Sequence, residues 1–174
     1  HFQVAEIELE GLDLAYNPGN YLRQLDIDRA IHTIAYEQDG VNYKREYFAS
    51  YPANVLVFRL TADKKGAYTG TLSLEDAHQG AVRAVDNRLS FSGTLSGEYR
   101  NPDGNYAIQL QYEAQVMVLN EGGSLSATDN TITFQDCDRL LILLDGGTDY
   151  LNRHDREWKQ EHPHQRIAER LAKA

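Results

Sequence analysis

Ile31-His32-Thr33-Ile34-Ala35-Tyr36, then Glu37-Gln38-Asp39-Gly40, then Val41-Asn42-Tyr43-Lys44-Arg45-Glu46-Tyr47-Phe48 decides the fold. Two runs rich in β-branched and aromatic residues flank Asp39-Gly40, a pair suited to the positive φ angles of a type I′ turn. This reads as a β-hairpin. On its C-terminal side Ser50-Tyr51-Pro52 interrupts the pattern, because proline cannot donate to a ladder. Val55–Thr61 resumes, with Val55, Val57 and Arg59 on one face and Leu56, Phe58 and Leu60 on the other. On the N-terminal side Ala5–Glu10 and Leu25–Asp28 alternate, so Ile7, Leu9, Leu25 and Ile27 read as inward.

The same grammar continues through Tyr68–Leu74, Ala81–Val85, Leu89–Ser96, Tyr106–Leu119, Gly123–Ala127, Thr131–Phe134 and Leu140–Leu144. Asp86-Asn87, Asn101-Pro102-Asp103-Gly104, Glu121-Gly122-Gly123 and Asp129-Asn130 supply the turns between them. Tyr106–Leu119 is long enough to expect a bend or bulge. The expected fold is all-β, an antiparallel sandwich over residues 1–147. Its core is expected to include Ile7, Leu25, Ile27, Val55, Val57, Leu141 and Leu143, or the opposite faces of the last two strands.

Residues 148–174 differ. Asn152–His162 is polar around one large side chain, Trp158, the expected anchor on the sandwich. Pro163 suits the first position of a helix. Ile167, Ala168, Leu171 and Ala172 then follow at helical spacing, ending a short linker helix near Ala172. So short a helix needs a surface to pack on. Residues 153–174 carry six Lys/Arg against four Asp/Glu, whereas the rest carries 11 against 22. A basic tail beside an acidic body reads as a solvated helix or as a segment that docks on an acidic neighbour.

The chain has 174 residues, a formal net charge of −9 and 41% hydrophobic residues, an ordinary globular composition. The acidic balance argues against nucleic acid as a partner. The longest apolar run, Leu140–Leu144, is far short of the roughly 20 residues of a membrane span. Cys137 is the only cysteine, so no internal disulfide is expected. The chain opens on His1 with no signal-peptide pattern, which reads as a piece of a longer polypeptide.

No nucleotide-binding or nucleophile-elbow motif occurs. Asp136 and Asp138 flank Cys137 and could share a strand face, but acidic residues before a buried strand usually serve a turn. His154, His162 and His164, with Asp149 and Asp155, match no standard zinc spacing. Catalytic residues, metal ligands and cofactors are therefore expected to be none. Trp158 and the 11 tyrosines could stack on sugars, although in a sandwich they more often fill the core.

Several ordered segments carry a family resemblance: Tyr21-Leu22-Arg23-Gln24-Leu25-Asp26-Ile27-Asp28-Arg29-Ala30, Tyr43–Ser50, Val55–Ala62, Gly147-Thr148-Asp149-Tyr150, Trp158, and Pro163-His164 with Arg166. Together they resemble the N-terminal domain of glycoside hydrolase family 95, the α-L-fucosidase family. His1–Leu9 stands where that family has a "Y-Q-P-L-G-D-L-E-L" strand, with Val4-Ala5-Glu6 in place of its "P-L-G-D". The resemblance implies a β-super-sandwich that precedes an (α/α)6 catalytic barrel in the same polypeptide. It implies an exo-acting, inverting glycosidase acting on fucosylated plant or host oligosaccharides, exported to the periplasm or outside the cell. The fragment itself would be inactive, because the family's catalytic carboxylates lie in the barrel. Asp149, Tyr150, Trp158 and His164 are the residues expected at an interface or sugar contact. Two alternatives are a stand-alone carbohydrate-binding sandwich and a mutarotase-like sugar-converting enzyme using a histidine and a carboxylate, with His32 and His78 available.

Overall fold

The computed structural model describes residues 5–15, 18–101 and 104–174. The start of the chain, His1-Phe2-Gln3-Val4, and Pro102-Asp103 of the expected turn lie outside the described residues. Among the described residues, twelve strands form two antiparallel sheets. The smaller orders β1 (Ala5–Glu10), β6 (Tyr68–Asp76), β11 (Thr131–Cys137) and β10 (Ser124–Thr128). The larger orders β2 (Gly19–Asp26), β3 (Ile31–Gln38), β4 (Val41–Ser50), β5 (Val55–Ala62), β12 (Arg139–Thr148), β9 (Gly104–Glu121), β8 (Arg88–Asn101) and β7 (Arg83–Val85). The chain is all-β, with a 3-10 turn at His154–Arg156 and one helix, α1 (His164–Lys173), in its tail.

The β3–β4 hairpin closes from Gln38↔Val41, and Asp39 and Gly40 both have positive φ, 52° and 72°. That is the geometry expected of a type I′ turn. The register of β9 is unbroken against β8 and β12. Register shifts fall instead in β11, between Phe134 and Cys137, where Asp136 has φ 51°, and in β2 between Gly19 and Leu22.

Two apolar layers sit on opposite faces of the larger sheet. Between the sheets, Leu60, Leu89, Phe91, Val116, Val118, Leu140 and Ile142 meet Tyr68, Leu72, Ile132 and Phe134, with Ile7 and Leu9 packed at the margin. On the outer face Val55, Val57, Met117 and Leu143 lie under Ile167 and Leu171 of α1, with Leu141 beside them. β5, β12 and β9 are thus covered on both sides, which explains why neither face of Leu140–Leu144 reads as polar.

Leu25 and Ile27 correct the expected core. They are 64% and 86% exposed. β2 is the edge strand of the larger sheet, exposed along nearly all its length, and contributes nothing to either apolar cluster. The strand also ends at Asp26, whose Oδ1 accepts the Arg29 N–H at 3.0 Å, so Ile27 lies in a turn. Leu25→Ala should change the unfolding free energy by no more than about 0.5 kcal/mol, the range of surface substitutions, as measured by chemical denaturation. A loss of several kcal/mol would show that β2 is covered.

Candidate functional site

The outer layer is closed by buried polar groups. Along β9, Glu113 and Gln115 share the outer face with Met117, and along β12 Asp145 follows Leu141 and Leu143 by the period of two. All three polar residues are buried, Glu113 at 4% exposure. Each must find partners, since an unpaired buried carboxylate is costly. The tail supplies them. His164 Nδ1, at the start of α1, lies 2.7 Å from Glu113 Oε1, and His162 Nδ1 lies 3.5 Å from Oε2. Gln115 Nε2 donates to Glu113 Oε1 and to the His164 carbonyl. Two and six residues on, Arg166 Nη2 donates to the Thr148 carbonyl at 3.2 Å and Arg170 Nε to Asp145 Oδ2 at 2.7 Å. Burial pushes the Asp145 carboxyl above the ordinary aspartate range, and the Arg170 guanidinium opposes that shift. The acidic neighbour of the basic tail is the sheet's own outer face.

The connection between β12 and α1 is equally tied. Asp149 is buried, its Oδ1 accepts the Gln111 N–H at 3.0 Å, and its carbonyl accepts the Gln160 N–H at 2.7 Å. Tyr150 bridges to Lys159, and the Leu151 N–H donates to the Trp158 carbonyl. The chain reverses at Glu157 and Trp158, both with positive φ. The indole is left 45% exposed, edge-on to His154 at 5.8 Å between ring centres. Trp158 is therefore not the anchor expected from its size. Pro163, Ile167 and Leu171, all buried, hold the tail instead. Helix α1 begins one residue after Pro163 and runs to Lys173, which lies 3.9 Å from Glu169. Of the four residues named from the sequence, Asp149 is buried, His164 is exposed but reaches buried Glu113 through Nδ1, and Tyr150 and Trp158 present half-exposed rings.

Sequence reasoning missed Glu113, Gln115 and Asp145. The available signal was their spacing: polar residues at every second position of otherwise apolar strands mark a buried polar row or a wet face. Only the tail's docking distinguishes the two.

A second constellation joins the sheets. Asp76 of β6 accepts the Tyr112 hydroxyl of β9 at 2.8 Å, the Gly80 N–H at 2.8 Å and the His78 N–H at 3.0 Å. His78 Nδ1 stands 3.5 Å from the same carboxylate. Burial alone would raise the Asp76 carboxyl, but these donors outweigh it and hold the group below the usual range. Tyr112 is pushed up to about 12 by burial and by its bond to Asp76. A histidine–carboxylate pair could in principle move a proton, but this carboxylate is occupied by two backbone N–H groups and a phenol. It is a tie between sheets.

The remaining residues singled out by the sequence are dispersed. Asp138 Oδ1 accepts the Gly66 N–H at 2.7 Å and Asp136 lies in the β11 bulge, so both serve the backbone. Cys137 is fully buried, which raises its thiol pKa and suppresses thiolate chemistry. His32 stacks on Tyr47 and accepts from Arg23 Nε. Among the described residues, no three His, Cys, Asp or Glu side chains converge as metal ligands, and no helix is long and apolar enough to cross a membrane.

The sequence profile of the family described as "Glycosyl hydrolase family 65, N-terminal domain" matches residues 3–153. A curated relative from Arabidopsis thaliana, named α-L-fucosidase 2, is 22% identical over 160 residues. That match covers 83% of this chain and 19% of the relative, so the chain spans about a fifth of that relative's length. A solved structure titled "Putative kojibiose phosphorylase from human microbiome" aligns with a TM-score of 0.47 at 8% identity, over 97% of this chain and 24% of that one.

Proposed function

This chain belongs to the family of glycosyl hydrolase family 65 N-terminal domains, and from that membership we propose that it is the non-catalytic β-sandwich module of an exo-acting, inverting α-L-fucosidase-like glycoside hydrolase. An N-terminal glycosidase domain is what the ordered motifs resemble, and the family membership agrees with it at that level. The likeness to a protein named α-L-fucosidase 2 favours a fucosylated oligosaccharide as the substrate of the whole polypeptide. Inverting hydrolysis needs an acid and a base separated to admit a water. In this reading both come from an (α/α)6 domain of the same polypeptide, and the sandwich buttresses that domain.

The observation that carries the reading is the seam beneath α1. Glu113 and Asp145 hold His164 and Arg170, so residues 148–174 form a fixed platform on residues 1–147. A connection so held can transmit a defined orientation to what it joins. Asp149 and His164 act within that seam, and the half-exposed Tyr150 and Trp158 are the surface offered to the barrel.

The test is hydrolysis of aryl α-L-fucosides. The purified 174-residue chain should show no turnover, while a polypeptide that includes the barrel should release the sugar with inverted anomeric configuration. Turnover by the 174-residue chain that a single substitution such as Asp76→Asn abolishes would overturn the proposal.

A further inference from the structure

Helix α1 covers the outer face of the larger sheet over β5, β12 and β9, but the same face is open over β2, β3 and β4. A pocket of about 270 Å³ lies there. Its origin is visible in the strand register. Gln24, Thr33 and Glu46 stand side by side across the three strands, as do Leu22, Ala35 and Lys44. In each row the middle strand contributes a small side chain between two longer ones, leaving a trough. The β2–β3 turn closes one end with Arg29.

The lining is mixed in a particular way. Asp26 and Glu46 are balanced by Arg29 and Lys44, so the pocket has no net formal charge to favour an anion or a cation. Glu46 is buried between Lys44 Nζ and Arg59 Nη2, each 2.9 Å away. Burial opposes its ionisation, but the two cations hold its carboxyl below the ordinary range, so an acceptor is fixed in place at neutral pH. The Gln24 amide, the Thr33 hydroxyl and the Arg29 guanidinium have no partner among the described residues. Leu22, Ile31 and Ala35 add an apolar margin.

Donors and acceptors in alternation beside apolar carbon suit a ligand whose groups both donate and accept on a ring with an apolar face. The volume lies just below the roughly 300–1,000 Å³ of pockets for drug-sized ligands, which suits one sugar ring. We propose that this pocket binds a neutral pyranose sugar through Gln24, Thr33, Lys44 and Glu46, as a site on the module itself. The inference rests on the pocket's own chemistry and goes beyond the fucosidase-like reading. An open, shallow site implies millimolar affinity.

The test is a titration of the isotope-labelled 174-residue chain, followed by backbone amide shifts. The probes are L-fucose, D-glucose and D-galactose, with D-glucuronate as the charged control. At least one neutral sugar should give saturable millimolar shifts confined to amides around Gln24, Thr33, Lys44 and Glu46. Gln24→Ala and Thr33→Val keep the strands and should each weaken binding by about threefold to tenfold, the effect of one lost hydrogen bond between neutral groups. The proposal is overturned if no neutral sugar shifts those amides saturably, if both variants titrate like the parent chain, or if glucuronate binds more tightly. Because no catalytic step is read, failure of the activity test leaves this result standing, and the converse also holds.

Discussion

Asp76→Ala should lower the unfolding free energy by on the order of 3 kcal/mol, since each buried donor left unpaired costs about 1–3 kcal/mol. The Gly80 N–H, the His78 N–H and the Tyr112 hydroxyl all lose their acceptor together. Because Tyr112 belongs to the opposite sheet, the change removes a tie between layers as well as a turn. The folded-state pKa of the Asp76 carboxyl lies below the ordinary value, so the folded chain binds fewer protons at this site than the unfolded chain. The stabilisation is present above the unfolded pKa and is lost as pH falls through the folded one. The gap between parent and variant should therefore be full at neutral pH and shrink in acid. Denaturation curves at the two pH values check both parts, and a gap that stays constant into acid would contradict the assignment.

Ile167→Ala should cost about 2–5 kcal/mol in the stability of the tail's docking, the range for truncating a fully buried aliphatic side chain. Ile167 is fully buried between α1 and the outer sheet face. The seam adds polar contacts but no second apolar anchor beyond Leu171 and Pro163, and a ten-residue helix has little stability alone. The loss should appear first in α1, before the ladders of β3 and β4 open. Native-state exchange of the variant distinguishes this local release from global unfolding.

These effects show where the sequence was legible and where it was not. The hairpin at Asp39-Gly40 follows from local chemistry, because two adjacent residues with positive φ are a property of the dipeptide. Helix α1 is nearly as local, displaced by one residue from the position Pro163 suggested. Ile27 failed for a local reason, the Asp26 to Arg29 turn that ends the strand; Leu25 failed for a non-local one. Alternation reports the period of a strand, and only the extent of the opposing sheet decides whether a face is covered. Trp158 failed because the reversal at Glu157 and Trp158 sets where the indole goes, and side-chain size does not. Glu113 and Asp145 lie 51 and 25 residues from His164 and Arg170, so no sequence window contains either pair. The mildly basic tail was the one trace of them, and it named the sign of the neighbour without its place.

Residues 148–174 are part of the sandwich, docked on its outer face by Ile167, Leu171 and the Glu113 and Asp145 pairs. Amide hydrogen exchange of α1 in the native 174-residue chain tests it most directly, because an undocked helix of this length exchanges almost as fast as an unstructured peptide. Amides from Ile167 to Leu171 should exchange orders of magnitude more slowly than in the unfolded chain, and Ile167→Ala should remove this protection while β3 and β4 keep theirs. Exchange of those amides at the unstructured rate in the native chain would contradict it.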